Sequence, residues 1–137
     1  MRQVGILAAA GLVALSDGPD GMIGRLAEDH ANARRLAEGL AAMDGIESAG
    51  GLAPPTPGRL DPRRATTNFV VFRVRGNRAA FLEAIKSRGV LMTEYNHGTI
   101  RAVTHYGVAE ADIDRVVAAC ADALRETTTK TAAAMER

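Results

Sequence analysis

The stretch IRAVTHYGV, residues 100–108, decides how this chain is read, because it sets an arginine in a run otherwise suited to burial. The run reads as a strand over 100–105, whose alternating faces put Arg101, Val103 and His105 together. Stripping water from a guanidinium costs several kcal/mol, so a strand arginine needs a partner or a route to water. Three explanations are open on spacing alone. Arg101 forms an internal salt bridge, or snorkels to water from an edge strand, or holds a rigid fork that grips a planar carboxylate through two parallel hydrogen bonds.

Working outward, YNHGT (95–99) reads as a turn and Val90 to Thr93 as a short strand, so the two strands form a hairpin or a near one. NFVVFRV (68–74) is the clearest strand, with Val70, Phe72 and Val74 on one side and Phe69, Val71 and Arg73 on the other. Between them, Phe81, Leu82 and Ile85 mark the inward face of a helix over 78–88. Asn77 is its expected N-cap and Gly89 the residue just past its end. A last helix over 109–126 turns Ile113, Val116, Val117, Cys120 and Leu124 inward. Upstream, a long amphipathic helix over 22–43 carries the stripe Ile23, Leu26, Ala27, Ala33, Leu36, Ala37 and Leu40, and Asp44-Gly45 ends it. His30, at the edge of that stripe, is expected to be half-buried with one hydrogen bond. Ile46 to Ala49 is a short strand. The segment 50–66, with Pro54, Pro55, Pro57 and Pro62 beside Arg59, Arg63 and Arg64, reads as a solvated connection rather than a phosphate loop.

The flanks differ in character. Residues 4–15 are apolar nearly all round, as in a helix buried inside a larger protein. The run is too short to span a membrane, which takes about 20 apolar residues, and it lacks the cleavage site of a signal peptide. The tail 127–137 has no coherent apolar face and is expected to be disordered. With 137 residues, 47% of them hydrophobic, and a net charge of +1, the chain can bury a real core and announces no nucleic-acid or membrane partner. Cys120, the single cysteine, reads as a small core residue in a reducing, cytoplasmic setting. His30, His97 and His105 show no metal-ligand spacing, so no metal site is expected.

The fold class is therefore α+β: a β-β-α-β-β-α sheet covered on one face by helices, preceded by an Ala-rich helix and a long linking helix. Five segments occur in register: MRQVGILAAAGLVAL, RLAEDHANARRLAEGLA, TNFVVFRV, FLEAIKSRGVLM and IRAVTHYGVAEADIDRVV. Together they resemble the C-terminal third of L-threonine aldolases, in the β-eliminating-lyase branch of fold type I enzymes that use pyridoxal 5'-phosphate (PLP). The resemblance covers about residues 1–126. It implies retro-aldol cleavage of a β-hydroxy-α-amino acid such as L-threonine or L-allo-threonine to glycine and an aldehyde, with PLP as the electron sink. A related β-lyase or aminotransferase would share the same small domain.

On that resemblance, Arg101 matches the small-domain arginine that binds the substrate α-carboxylate, and Arg2 matches an arginine near the cofactor and subunit interface. Asn68 matches a Thr-Asn pair at a strand entry, which a side-chain hydrogen bond explains. His105 is expected to make a structural hydrogen bond. His97 occupies a turn where the family tends to carry glycine. The family's Schiff-base lysine lies before the Met-Arg-Gln segment, and neither Lys86 nor Lys130 is placed to replace it. The resemblance thus implies that residues 1–21 are a remnant of a large PLP domain and 22–126 the small domain. It implies a missing N-terminal domain, a homo-oligomer, no catalytic residue in this chain, and no activity or cofactor binding by the chain alone. A non-catalytic α+β association module is the alternative.

Overall fold

The fold is a computed structural model that describes residues 3–16, 18–49 and 58–135, with only the backbone described for residues 19 and 130–135. Four helices and four strands are found among the described residues: α1 (Val4–Ser16), α2 (Met22–Ala41), β1 (Ile46–Ser48), β2 (Phe69–Val74), α3 (Arg78–Lys86), β3 (Thr93–Tyr95), β4 (Thr99–Val103) and α4 (Glu110–Met135). The strands form one antiparallel sheet in the order β1-β2-β4-β3. The fold is α+β. β4 is therefore an interior strand, which removes the edge-strand explanation of Arg101.

The alternation of β2 and β4 builds the core. Val70, Phe72, Ile100 and Ala102 turn inward and are at most 5% exposed, while Phe69, Arg101 and Val103 turn to the other face. On the inner face α2 and α3 lie against β2, and α4 packs across both helices. Phe72 and Phe81 meet edge to face at 6.5 Å, the one aromatic pair in a core otherwise made of aliphatic side chains and Cys120 among the described residues. Asn77 caps α3 as expected, its side chain accepting from the Ala80 N–H at 3.0 Å. Gly89, at φ +79°, closes the other end while the Val90 N–H reaches back to the Ile85 carbonyl. β3 begins at Thr93 rather than Val90, because pairing with β4 covers only Thr93 to Tyr95, and Leu91 is 81% exposed.

α1 has no residue buried by the described chain, and Ile6, Leu7, Leu12, Val13 and Leu15 stand open on its surface. Several expectations are corrected. The stripe of α2 rotates: Ile23 and Leu26 are exposed, and Asp29 and Asn32 are buried with Ala33, Leu36, Ala37 and Leu40. Asn32 donates to the Val108 carbonyl at 2.8 Å, and the Thr104 hydroxyl donates to the Asp29 carbonyl at 2.7 Å. These bonds pin α2 to the end of β4, and they leave His30 facing solvent instead of half-buried. α4 does not fray at Glu126 but continues to Met135. Thr127, Thr128 and Thr129 turn their hydroxyls onto carbonyls one turn back, at 2.8 to 3.0 Å, and the alanines that follow favour helix strongly. Within the basic connection, Leu60 and Ala65 enter the core around a short 3-10 turn, Pro62–Arg64, capped by Asp61. The rest of that connection, residues 50–57, lies outside the described residues. No described helix is long and apolar enough to cross a membrane.

Candidate functional site

The outer face of the sheet carries the candidate site. Its neighbours follow from register. Val71 on β2 and Thr93 on β3 stand opposite Arg101. Phe69 and Tyr95 lie one pleat further along, at opposite ends of β4, because Phe69 pairs with Val103 and Tyr95 with Thr99. Each is thus a diagonal neighbour of Arg101, the reach at which aromatic and long side chains meet. The Arg101 Cζ sits 5.5 Å from the Phe69 ring centroid and 5.2 Å from that of Tyr95. Two negative ring faces hold one planar, weakly hydrated cation between them.

No acid among the described residues pairs with that cation. Nε of Arg101 is buried and has no hydrogen-bond partner, and the same holds for Nε of Arg73 on the same face. The internal salt bridge considered for Arg101 is absent among the described residues. Glu47 stands opposite Arg73 on β1, yet its carboxylate accepts from Arg75 Nε at 3.0 Å. Glu94 is held by Arg78 at 3.0 Å. Meanwhile Phe69, Tyr95 and Val103 are 43, 46 and 38% exposed, so the face is open. The arrangement offers a held, half-buried cation with its Nε out of reach of water on an apolar surface, a setting in which a carboxylate is gripped more strongly than in open water.

Other sites foreseen from sequence separate from this one. Arg2 lies outside the described residues. His105 falls beyond the end of β4, is exposed, and shares a contact of 2.8 Å between its Nδ1 and the Tyr106 carbonyl. His97 adopts φ 56°, ψ 34° in the turn before β4, the left-handed region that suits glycine better. Asn68 donates to the Thr104 carbonyl at 2.8 Å, the strand-entry bond expected of it. Cys120 is fully buried, and burial pushes its thiol up to about 12, so it is a core residue. No three of His, Cys, Asp and Glu gather among the described residues. Lys86 is exposed on α3 and lies 4.0 Å from Glu83, on the opposite side of the sheet from Arg101. Spacing missed Arg73, Tyr95 and the Phe69 ring. Their only signal was the alternation of each strand, which says which face a residue takes but not which residues meet on it.

Comparison with known proteins identifies the family. Residues 1–75 match the Beta-eliminating lyase family. The chain is 38% identical over 119 residues to the Low specificity L-threonine aldolase of Escherichia coli (strain K12), an alignment covering 86% of this chain and 29% of the relative. It is 30% identical over 117 residues to Low-specificity L-threonine aldolase 1 of Arabidopsis thaliana, covering 82% of this chain and 28% of the relative. The chain thus spans under a third of the length of these curated relatives. With the family matched over more than half of the sequence, the chain belongs to the β-eliminating lyases.

Proposed function

We propose that this chain is the C-terminal part of a PLP-dependent aldolase that cleaves L-threonine or L-allo-threonine to glycine and an aldehyde. Its small domain, residues 22–126, presents Arg101 to the substrate α-carboxylate. One observation carries the reading: in a member of this family, an arginine fork without an acid of its own is clamped between two rings on an open sheet face. A carboxylate is the planar anion that such a fork matches.

The described residues do not fit the cofactor itself. Lys86 is solvent-exposed and lies behind the sheet, so it is not placed to carry PLP near Arg101. On this reading the chain alone is inactive, and the cofactor's chemistry belongs to a large domain outside it. α1 and residues 1–21 pack against that domain, which covers the apolar surface left open here. Arg2 sits at the cofactor and subunit interface of a cytoplasmic homo-oligomer. On this reading Arg101 binds and orients the amino acid and transfers no proton.

A chimera tests the proposal. The matching segment of the Escherichia coli relative is replaced by this chain, and acetaldehyde release from L-allo-threonine is followed. Activity is expected, with Arg101→Gln raising KM by 10-fold or more, on the order of the loss expected when a charge-assisted grip is removed. A soluble, PLP-loaded chimera without activity, or one indifferent to Arg101→Gln, would refute it.

A further inference from the structure

The outer sheet face holds a second cation with no acid partner among the described residues. Arg73 on β2 and Arg101 on β4 share that face. The register pairs Val71 with Arg101 and so sets Arg73 diagonally beside it. Diagonal neighbours across antiparallel strands stand about 7–8 Å apart, within joint reach of two long side chains. Two guanidiniums at that spacing repel each other unless an anion lies between them. Nearby cations are already satisfied, Arg75 by Asp44 and Glu47 and Arg78 by Glu94 and the Gly98 carbonyl. A groove of about 580 Å³ between the 88–92 segment, the end of β4 and α4 carries Arg88 and Arg115. Both are paired, with Glu126 and Asp112. Arg73 and Arg101 alone combine a buried, partnerless Nε with a position on the open face among the described residues.

Local structure keeps the Arg73 fork beside the turn that leads into β4. A Cβ added to Gly98 would lie 3.8 Å from Arg73 Nη1 and 3.1 Å from Arg78 Nη1. Gly98, at φ +75°, is where glycine suits the backbone, and the Cβ would crowd Arg78 while only touching Arg73.

We propose that Arg73 is a second anion-binding residue of the Arg101 site, so that one carboxylate is held by both forks. This rests on the reading that Arg101 binds a carboxylate. A carboxylate offers about four lone-pair positions; a bidentate fork uses two and leaves the others for a second donor. Arg73 then adds charge and fixes the rotation of the carboxylate about the Arg101 fork.

The full 137-residue chain, labelled with ¹⁵N, provides the test. The Nε–H resonances of Arg73 and Arg101 are assigned through Arg73→Lys and Arg101→Lys. Sodium acetate is titrated against sodium chloride at equal ionic strength. Both resonances are expected to shift with acetate along one binding curve, and Arg73→Gln is expected to weaken binding seen at Arg101 about fivefold. If only Arg101 responds, Arg73 is no part of the site and the carboxylate reading of Arg101 stands. If only Arg73 responds, the shared site is refuted. If neither responds, both readings fall. Equal shifts in chloride mean an adventitious ion only and also refute the proposal. The wild-type titration decides the matter even if Arg73→Gln fails to fold.

Discussion

Replacing Gly39 with alanine gives a direct measure of how closely the helices supporting the site are packed. Gly39 lies inside α2, where alanine is intrinsically better than glycine by about 1 kcal/mol. Here, however, an added Cβ would lie 2.6 Å from Cγ2 and 3.0 Å from Cγ1 of Val117 on α4. Carbon atoms pack best near 3.5–4.0 Å, so something must move. Val117 cannot simply rotate, since a β-branched side chain in a helix has one dominant χ1. Overpacking of this kind costs about 1–3 kcal/mol, and so close a contact belongs in the upper half of that range. The net expectation is a loss of about 1–2 kcal/mol. Val117→Ala alone removes two partly buried methyl groups, for about 1 kcal/mol. In Gly39→Ala/Val117→Ala the collision disappears and the helix gain returns, so the double variant lies within about 1 kcal/mol of wild type. The coupling between the two sites is then about 2 kcal/mol, well above the ~0.5 kcal/mol scatter of independent sites. Urea unfolding followed by helical circular dichroism measures all four corners, with unchanged m values as the control. A Gly39→Ala variant more stable than wild type by about 1 kcal/mol would refute the α2–α4 approach. With it would go the packing that pins Asp29 and Asn32 to the end of β4.

Two further outcomes are expected. Tyr95→Leu should destabilise the chain through Arg101 by about 0.5–1 kcal/mol and Tyr95→Phe should not, because the phenyl face rather than the hydroxyl meets the cation; a double-mutant cycle with Arg101→Met reads the coupling, and zero coupling removes the clamp. Cys120 should react with a thiol reagent at pH 8 only as fast as the chain unfolds, since its pKa is raised from 9.0 to about 12 by burial. Between those values the folded state binds the extra proton, so stability falls as pH rises, by at most about 1.4 kcal/mol per pH unit. Cys120→Ala should flatten that part of the profile, and a profile unchanged by the substitution would contradict burial of the thiol.

Local periodicity made much of the fold legible. The period of two in 68–74 and 100–105 separated Val70, Phe72, Ile100 and Ala102 from Phe69, Arg101 and Val103, and the structure keeps that division. The caps at Asn77 and Gly89 were equally readable, because a cap is a contact between residues a few positions apart. The stripe of α2 was misjudged at its start. Ile23 and Leu26 are hydrophobic enough to be core, but Asp29 and Asn32 take the buried positions through bonds to Thr104 and Val108, far away in sequence. The end of α4 was missed for a different reason. Thr127 to Thr129 have modest helix propensity, and their hydroxyl bonds to the preceding turn form only once the helix is there.

The candidate site divides along the same line. The sequence by itself determined that Arg101 lies on a strand, that it shares a face with Val103, and which family the chain resembles. Those properties need only alternation and order along the chain. The tertiary structure decided that β4 is an interior strand, that Phe69 and Tyr95 flank Arg101, and that Arg73 stands beside it without an acid. These facts depend on strand register, a long-range property fixed by packing the whole inner face, and shifting it by one residue would turn every side chain to the wrong side.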